Sequence, residues 1–497
     1  MQLQTFTSRL MLHFHENEYI IYLIMQRRLT MESLKKKYGL ATGIAMVVGI
    51  VIGSGVFFKA GKVLVNTDGK LGTALFAWLI GGLIMVISAY CFGLVGTKIE
   101  KVNGVVDYVE VATNKKVGYA LGWYFATIYY PILVSILAFL SMNYLFTLLG
   151  LGNLIMGGLF WLCVVILIFL SFLMNTLAPK IAGYYQVSTT IIKLIPISII
   201  AIVGTIIGLT NGNTAEAFKS IGDNALVKND FGSALLATIF AYEGWVIATA
   251  INAELKNSKK NLPLALTIGT IIVICAYLLY YLGLSSLIPN TNDIIALDSR
   301  APLVAMNGLI GKAGEVIFNT LVVISCLGTL NGLTMGCCRG LFALATRGQG
   351  PKPLEYANLH PKYNTSIKSS IVGLILSLVF AGLWYIAFRG WLPLGSMDEV
   401  SIAVVYVSYI AVYIWIMKEC KEFGKFKRFV MPSLAILASI LLTFASTGLF
   451  QLVTLGSFAK MQEFLVFSGI SFLSVFVGLL FYQDNPLQIT DQILKKE

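Results

Sequence analysis

From residue 40 onward the chain alternates between long apolar blocks and short polar connections. About twelve blocks stand out, at approximately 40–60, 72–95, 118–149, 155–177, 184–209, 231–252, 263–288, 315–346, 368–387, 400–417, 429–450 and 461–482. Each is long enough to cross the roughly 30 Å hydrocarbon core of a bilayer as a helix, and about twice as long as a barrel strand needs to be. The pattern predicts an all-α integral membrane protein of about twelve transmembrane helices.

Composition narrows the class further. Of 497 residues, 57% are hydrophobic and 12% charged, about half the charge of an ordinary soluble protein. Such a chain cannot cover a soluble core with polar surface, which excludes a soluble globular enzyme, a disordered protein and a disulfide scaffold. Six of the seven cysteines lie in apolar stretches, and none has metal-ligand spacing, so they read as small buried hydrophobes.

The net charge of +12 is unevenly spread. With the N-terminus inside, the inside segments hold about 25 of the lysines and arginines and the outside loops about 9. Both termini are therefore expected in the cytoplasm, and topology rather than nucleic acid accounts for the charge. Residues 1–39 are expected to form an N-terminal tail and 483–497 a C-terminal one. Residues 1–30 have the character of an upstream extension, with Met31, ahead of Lys35-Lys36-Lys37, as the natural start; a plain cytoplasmic tail is the alternative.

Two blocks are interrupted in related ways. The first reads Gly49-Ile50-Val51-Ile52-Gly53-Ser54-Gly55-Val56-Phe57, the sixth Phe240-Ala241-Tyr242-Glu243-Gly244-Trp245. Five spans separate their starting points, which inverts the orientation of one relative to the other. Position, not identity between the halves, therefore predicts an inverted repeat of 40–209 against 231–417. Residues 429–482 add the last two helices, and a binding site is expected where the broken helices face each other.

The polar residues at membrane depth are the candidate chemistry. A break at Gly53-Ser54-Gly55 would free amide N–H groups at a half-helix N-terminus, donors suited to a carboxylate; the alternative is packing, since Gly49 and Gly53 form a GxxxG. Glu243, in an apolar span, must face a cavity or a partner. It could bind an amine, tune a cationic or hydroxyl-bearing substrate, carry a proton, or simply hydrogen-bond exposed backbone. Lys193, in mid-span, needs acceptors, for which the unwound carbonyls of span 1 are candidates; snorkelling to an interface is the alternative. Asn331, in Gly328-Thr329-Leu330-Asn331-Gly332, either lines a cavity or bonds between helices. Tyr129, Tyr130 and Pro131 either form a cavity wall or pack. Phosphate loops, HExxH and CxxC pairs are absent, and His360 falls in a loop. Neither a nucleotide-driven pump nor a membrane-embedded enzyme is supported, and no cofactor is implied.

Around these residues the chain resembles the amino acid–polyamine–organocation superfamily, in particular the L-type amino acid transporters and their bacterial exchanger-like members. The resemblance spans about residues 33–480. Gly53-Ser54-Gly55-Val56-Phe57 is similar to the family's GSGIF, and Phe240–Trp245 to its FAY-x-GW. Asn252-Ala253-Glu254-Leu255-Lys256-Asn257 through Pro263 is similar to its E-x-KNP-x-x-x-LP segment, and Arg339 through Arg347, then His360-Pro361-Lys362-Tyr363, to the arginine-rich turn after helix 8. The resemblance implies a LeuT-type fold with a 5+5 inverted repeat, broken helices 1 and 6, and alternating access. It implies a substrate carboxylate on the amides around Ser54 and Gly55. The α-amino group would meet carbonyls near Val51 and those of Phe240 and Ala241, with Phe240 as an aromatic gate. Lys193 matches the lysine of members without sodium dependence, which implies exchange or proton-coupled uptake.

Departures from the family pattern carry information too. Ser258 replaces the usual proline, and Glu243 fills a variable place where small residues are common, which leaves side-chain specificity open. The loop at 150–154 lacks the cysteine through which animal members join a glycoprotein heavy chain, so no such partner is expected, and a prokaryotic source is. The expected protein is a monomer or weak homo-oligomer in the cell membrane that moves amino acids, most simply neutral ones. A cationic amino acid or polyamine carrier is a rival. So is a non-transporting amino acid sensor, against which the short C-terminal tail speaks.

Overall fold

The structure, a computed structural model, describes residues 39–53, 55–99, 104–222 and 227–484, with only the backbone of 250–254. The expected start at Met31 and both tail ends lie outside these residues. The described chain is helical throughout its length, and its one β-bridge joins Thr67 to Asn229.

The membrane helices are α1a (Leu40–Val51) and α1b (Gly55–Val65), α2 (Leu71–Gly96), α3 (Lys115–Leu148), α4 (Gly158–Leu177), α5 (Pro179–Asn211) and α6 (Phe231–Thr249). They continue as α7 (Ser258–Leu287), α8 (Ala301–Ala345), α9 (Ile367–Phe388), α10 (Met397–Glu419), α11 (Phe426–Ser446) and α12 (Ala459–Leu480). Among the described residues, 11 helices are long and apolar enough to cross a membrane, or 12 with α1a and α1b taken as one bent span. The first block, expected to end near residue 60, runs on to Val65, and its halves meet at 53°. The eleventh, expected to reach 450, stops at Ser446 because Gly448 turns the chain with φ +76° into a separate short helix, Leu449–Leu455.

Packing sorts the helices into two groups. α2 packs on α1b, α6 and α7, with α1a on α7 and α1b on α6, while α3, α4, α8 and α9 pack on one another; α5 touches both α7 and α8. α5 shows how the sequence chooses its faces. Ile181, Tyr184, Val187 and Ile191 recur every three or four residues and are exposed, as lipid-facing positions are, while Thr189 and Lys193 on the opposite side are buried. The bridge between Thr67 and Asn229, with Lys228 N–H donating to the Val65 carbonyl at 2.6 Å, ties the end of α1b to the chain leading into α6. The two broken helices are thereby fixed side by side at one face.

Candidate substrate site

The breaks are built from backbone. α1a ends at Ile52, whose extended ψ of 107° stops the helix, and α1b resumes at Gly55. α6 loses its α-geometry after Tyr242: Glu243 is extended, Gly244 has φ +109°, and the chain continues as 3-10 turns over Trp245–Glu254. That φ favours glycine, and a Cβ there would also sit 3.2 Å from the Ile50 carbonyl oxygen. At Gly55 a Cβ would lie 2.6 Å from Ala241 Cα. The two breaks therefore touch, backbone against backbone, only because these positions lack side chains.

Helix ends leave amides and carbonyls without intrahelical partners. The Tyr277 hydroxyl, from α7, lies 3.3 Å from the Val51 carbonyl and 3.1 Å from that of Ala241. These are two of the acceptors that the family resemblance assigns to a substrate amino group. The third, Phe240 O, accepts from the Glu243 amide at 3.3 Å.

A cavity of about 230 Å³ opens beside the breaks. Val51, Gly53 and Gly55 form one wall and Phe240, Ala241, Glu243 and Gly244 another. Tyr129, Leu133 and Leu137 of α3 close a third side; Thr329, Gly332 and Met335 of α8, with Gln186 and Lys193 of α5, complete it. This is smaller than the roughly 300–1,000 Å³ of pockets that hold drug-sized ligands, and it suits one small molecule. Glu243 Oε1 accepts a 2.5 Å hydrogen bond from the Tyr129 hydroxyl. Its Oε2 is buried without a partner among the described residues. Lys193 is 1% exposed and brings an ammonium to the same cavity.

Val51, Gly53, Gly55, Tyr129, Lys193, Phe240, Ala241 and Glu243, all singled out in the sequence, thus share one cavity. Ser54 lies outside the described residues. Two others stand elsewhere. Asn331 is one layer behind the wall: its amide donates to the Ala182 carbonyl and to Gln186 Oε1, both at 3.0 Å, and its oxygen accepts from Asn175 at 3.0 Å. It bonds α8 to α4 and α5 and holds Gln186, which is the residue that faces the cavity. Tyr130 faces a neighbouring cavity, because a π turn over Phe125–Tyr129 shifts the register of α3 and presents Tyr129 instead. Thr329 and Gly332, which flank Asn331 in the polar patch read from the sequence, line the cavity in its place, whereas Gln186 and Met335 went unnoticed, because neutral residues on a buried helix face look like packing.

Above Phe240 sits a charged roof. Lys59 of α1b donates to Asp398 and Glu399 of α10, both at 2.8 Å, and Lys62 to Glu399 at 2.5 Å. The Lys59 ammonium also lies 4.4 Å from the centre of the Phe240 ring, within cation–π range. Among the described residues no group of three or more His, Cys, Asp or Glu comes together as a metal site.

The sequence model of the amino acid permease family matches residues 38–478. The chain belongs to that family. Among its relatives, the permease is 32% identical over 381 residues to the serine/threonine exchanger SteT of Bacillus subtilis, covering 76% of this chain and 82% of the exchanger. It is 28% identical over 331 residues to the human b(0,+)-type amino acid transporter 1, covering 66% of each. The human large neutral amino acids transporter small subunit 2 is 29% identical over 384 residues, which is 73% of the permease and 68% of that protein. The permease is thus an amino acid transporter and not an enzyme, and its helical architecture is the one the family resemblance implied.

Proposed function

We propose that this permease is a sodium-independent carrier of neutral L-amino acids in the cell membrane, working as an exchanger by alternating access. The repeats at 40–209 and 231–417 would rock around the central site, and both termini would be cytoplasmic, as the charge of the connecting loops favours. The observation that carries this reading is the Lys193 ammonium in the wall of a cavity formed by two broken helices. A fixed cation there supplies the charge that a sodium ion would otherwise bring. The substrate carboxylate would meet the start of α1b at Gly55, and its ammonium would compete with the Tyr277 hydroxyl for the Val51 and Ala241 carbonyls. The name of the Bacillus relative favours exchange and small neutral substrates. The absence of cysteine from 149–157 favours function without a disulfide-linked heavy chain.

A second reading, a cationic amino acid carrier, draws on Glu243, whose Oε2 has no described partner in the cavity wall. A third, proton-coupled uptake, shares every residue above and differs only in what drives the cycle.

Uptake into liposomes separates these readings. Purified protein, in sodium-free buffer, is given labelled neutral and cationic amino acids, with and without internal unlabelled substrate or an inward proton gradient. Uptake of neutral substrates only against internal substrate is expected. Gradient-driven uptake into unloaded liposomes would establish proton coupling instead, a preference for lysine or arginine the cationic reading, and binding without movement a sensor. Lys193→Ala should sharply reduce transport in a folded protein, and unchanged uptake would reduce Lys193 to a structural role.

A further inference from the structure

A second cavity, of about 260 Å³, lies between the central one and the ends of α3, α6 and α8. The two are consecutive. Ile247 lines both, and Tyr129 and Tyr130, the last residue of the π turn of α3 and the one after it, face one each. On the orientation proposed above, this chamber is the last the substrate crosses before the cytoplasm.

Its walls are mostly apolar, with Val106, Phe125, Val246 and Leu344 among them, and two arginines stand out, Arg339 of α8 and Arg347 just beyond its end. They are not equivalent. Arg347 is taken: its guanidinium donates to Glu110 at 2.9 Å and to Asp107. Arg339 is exposed within the chamber wall, and no described carboxylate pairs with it. It lies six residues before the end of α8 at Ala345, which is about 9 Å along the helix axis. An arginine that deep, with no counter-charge among the described residues and facing a passage, is an anion site in search of its anion. Its planar fork of donors matches a carboxylate with two parallel hydrogen bonds. Every amino acid that passes carries one. The Thr249 hydroxyl, in the same wall, donates to the Val246 carbonyl and keeps its lone pairs for a donor such as an ammonium group.

We propose that Arg339 forms a second, cytoplasm-facing amino acid subsite, in which its guanidinium holds the α-carboxylate of a substrate on its way to or from the central cavity. The subsite rests on the reading of the protein as an amino acid carrier. It concentrates zwitterionic or anionic amino acids at the inner mouth and is reached from one side of the membrane only. Sidedness is therefore its signature: a loss here weakens apparent affinity on the cytoplasmic face and leaves the opposite face alone.

The test uses the full chain in liposomes, with exchange of labelled serine measured at varied concentration on one side and saturation on the other. Arg339→Gln is expected to raise KM on the cytoplasmic side about tenfold, with KM on the outer side and thermal stability unchanged. Arg339→Lys, which keeps the charge and loses the fork, should recover part of the difference. Val106→Glu offers the arginine a resident carboxylate while leaving it in place, and should raise the same KM; it also covers the case in which Arg339→Gln fails to fold. Equal changes on both faces, or an unchanged cytoplasmic KM in both variants, would overturn the subsite. If the wild type neither binds nor exchanges any amino acid, it is the carrier reading that fails, and the two failures are distinct.

Discussion

On one side of the central cavity Lys59, Asp398 and Glu399 are withdrawn from solvent, with side-chain exposures of 3%, 2% and 0%. On the other, Arg347 and Glu110 retain 17% and 18%, and Arg339 is open to its chamber. Both regions join segments distant in the chain: α1b to α10 at the first, the turn that follows α8 to the helix Val105–Ala112 at the second. Charges inside a low-dielectric interior attract strongly and cannot be separated without stranding each of them, whereas water reaches a partly exposed pair and replaces some of what it loses. The Lys59 region is therefore the tighter joint, and its lysine lies over the Phe240 ring in the cavity wall. The arginine region is the looser of the two.

The largest test of this contrast is Lys59→Met. It leaves Asp398 buried without its partner and Glu399 with Lys62 alone, and breaking such a buried pair costs about 3–5 kcal/mol. Thermal unfolding in detergent should fall accordingly and exchange should collapse, with stability recovering when Asp398→Asn and Glu399→Gln are added. A melting curve for Lys59→Met that overlies the wild type would mean the joint is steric. A smaller effect is expected from Arg347→Gln, about 1.5–3 kcal/mol from charge-assisted hydrogen bonds, and added salt should weaken the wild-type pair toward the variant's behaviour while leaving the Lys59 region untouched. Salt sensitivity at both ends would erase the contrast. The smallest effect is Glu422→Gln, at the exposed pair with Lys98, where neither transport nor unfolding should change.

Much of the architecture was legible because membrane helices advertise themselves by length and apolarity, and glycines at 53, 55 and 244 mark where helices cannot stay whole. Glu243 and Lys193 were legible for the same reason in reverse: a lone charge in an apolar run demands an explanation. The roof was not. Lys59, Asp398 and Glu399 sit at the margins of their blocks, where charges look solvated, and the lysine finds its partners about 340 positions away in the chain. Asn331 was legible as polar but not as to direction, since a hydrogen bond to Gln186 and a hydrogen bond to substrate leave the same mark on a sequence.

The π turn at Phe125–Tyr129 carries a consequence for how the passage is numbered. One surplus residue in a turn rotates everything beyond it by roughly 100° about the helix axis. The two tyrosines that follow each other there consequently belong to different rooms. Deleting a single residue from the turn would carry Tyr130 to the direction that Tyr129 now holds and turn Tyr129 away, without altering the chemistry of either. In this wall, what a side chain meets is decided by counting.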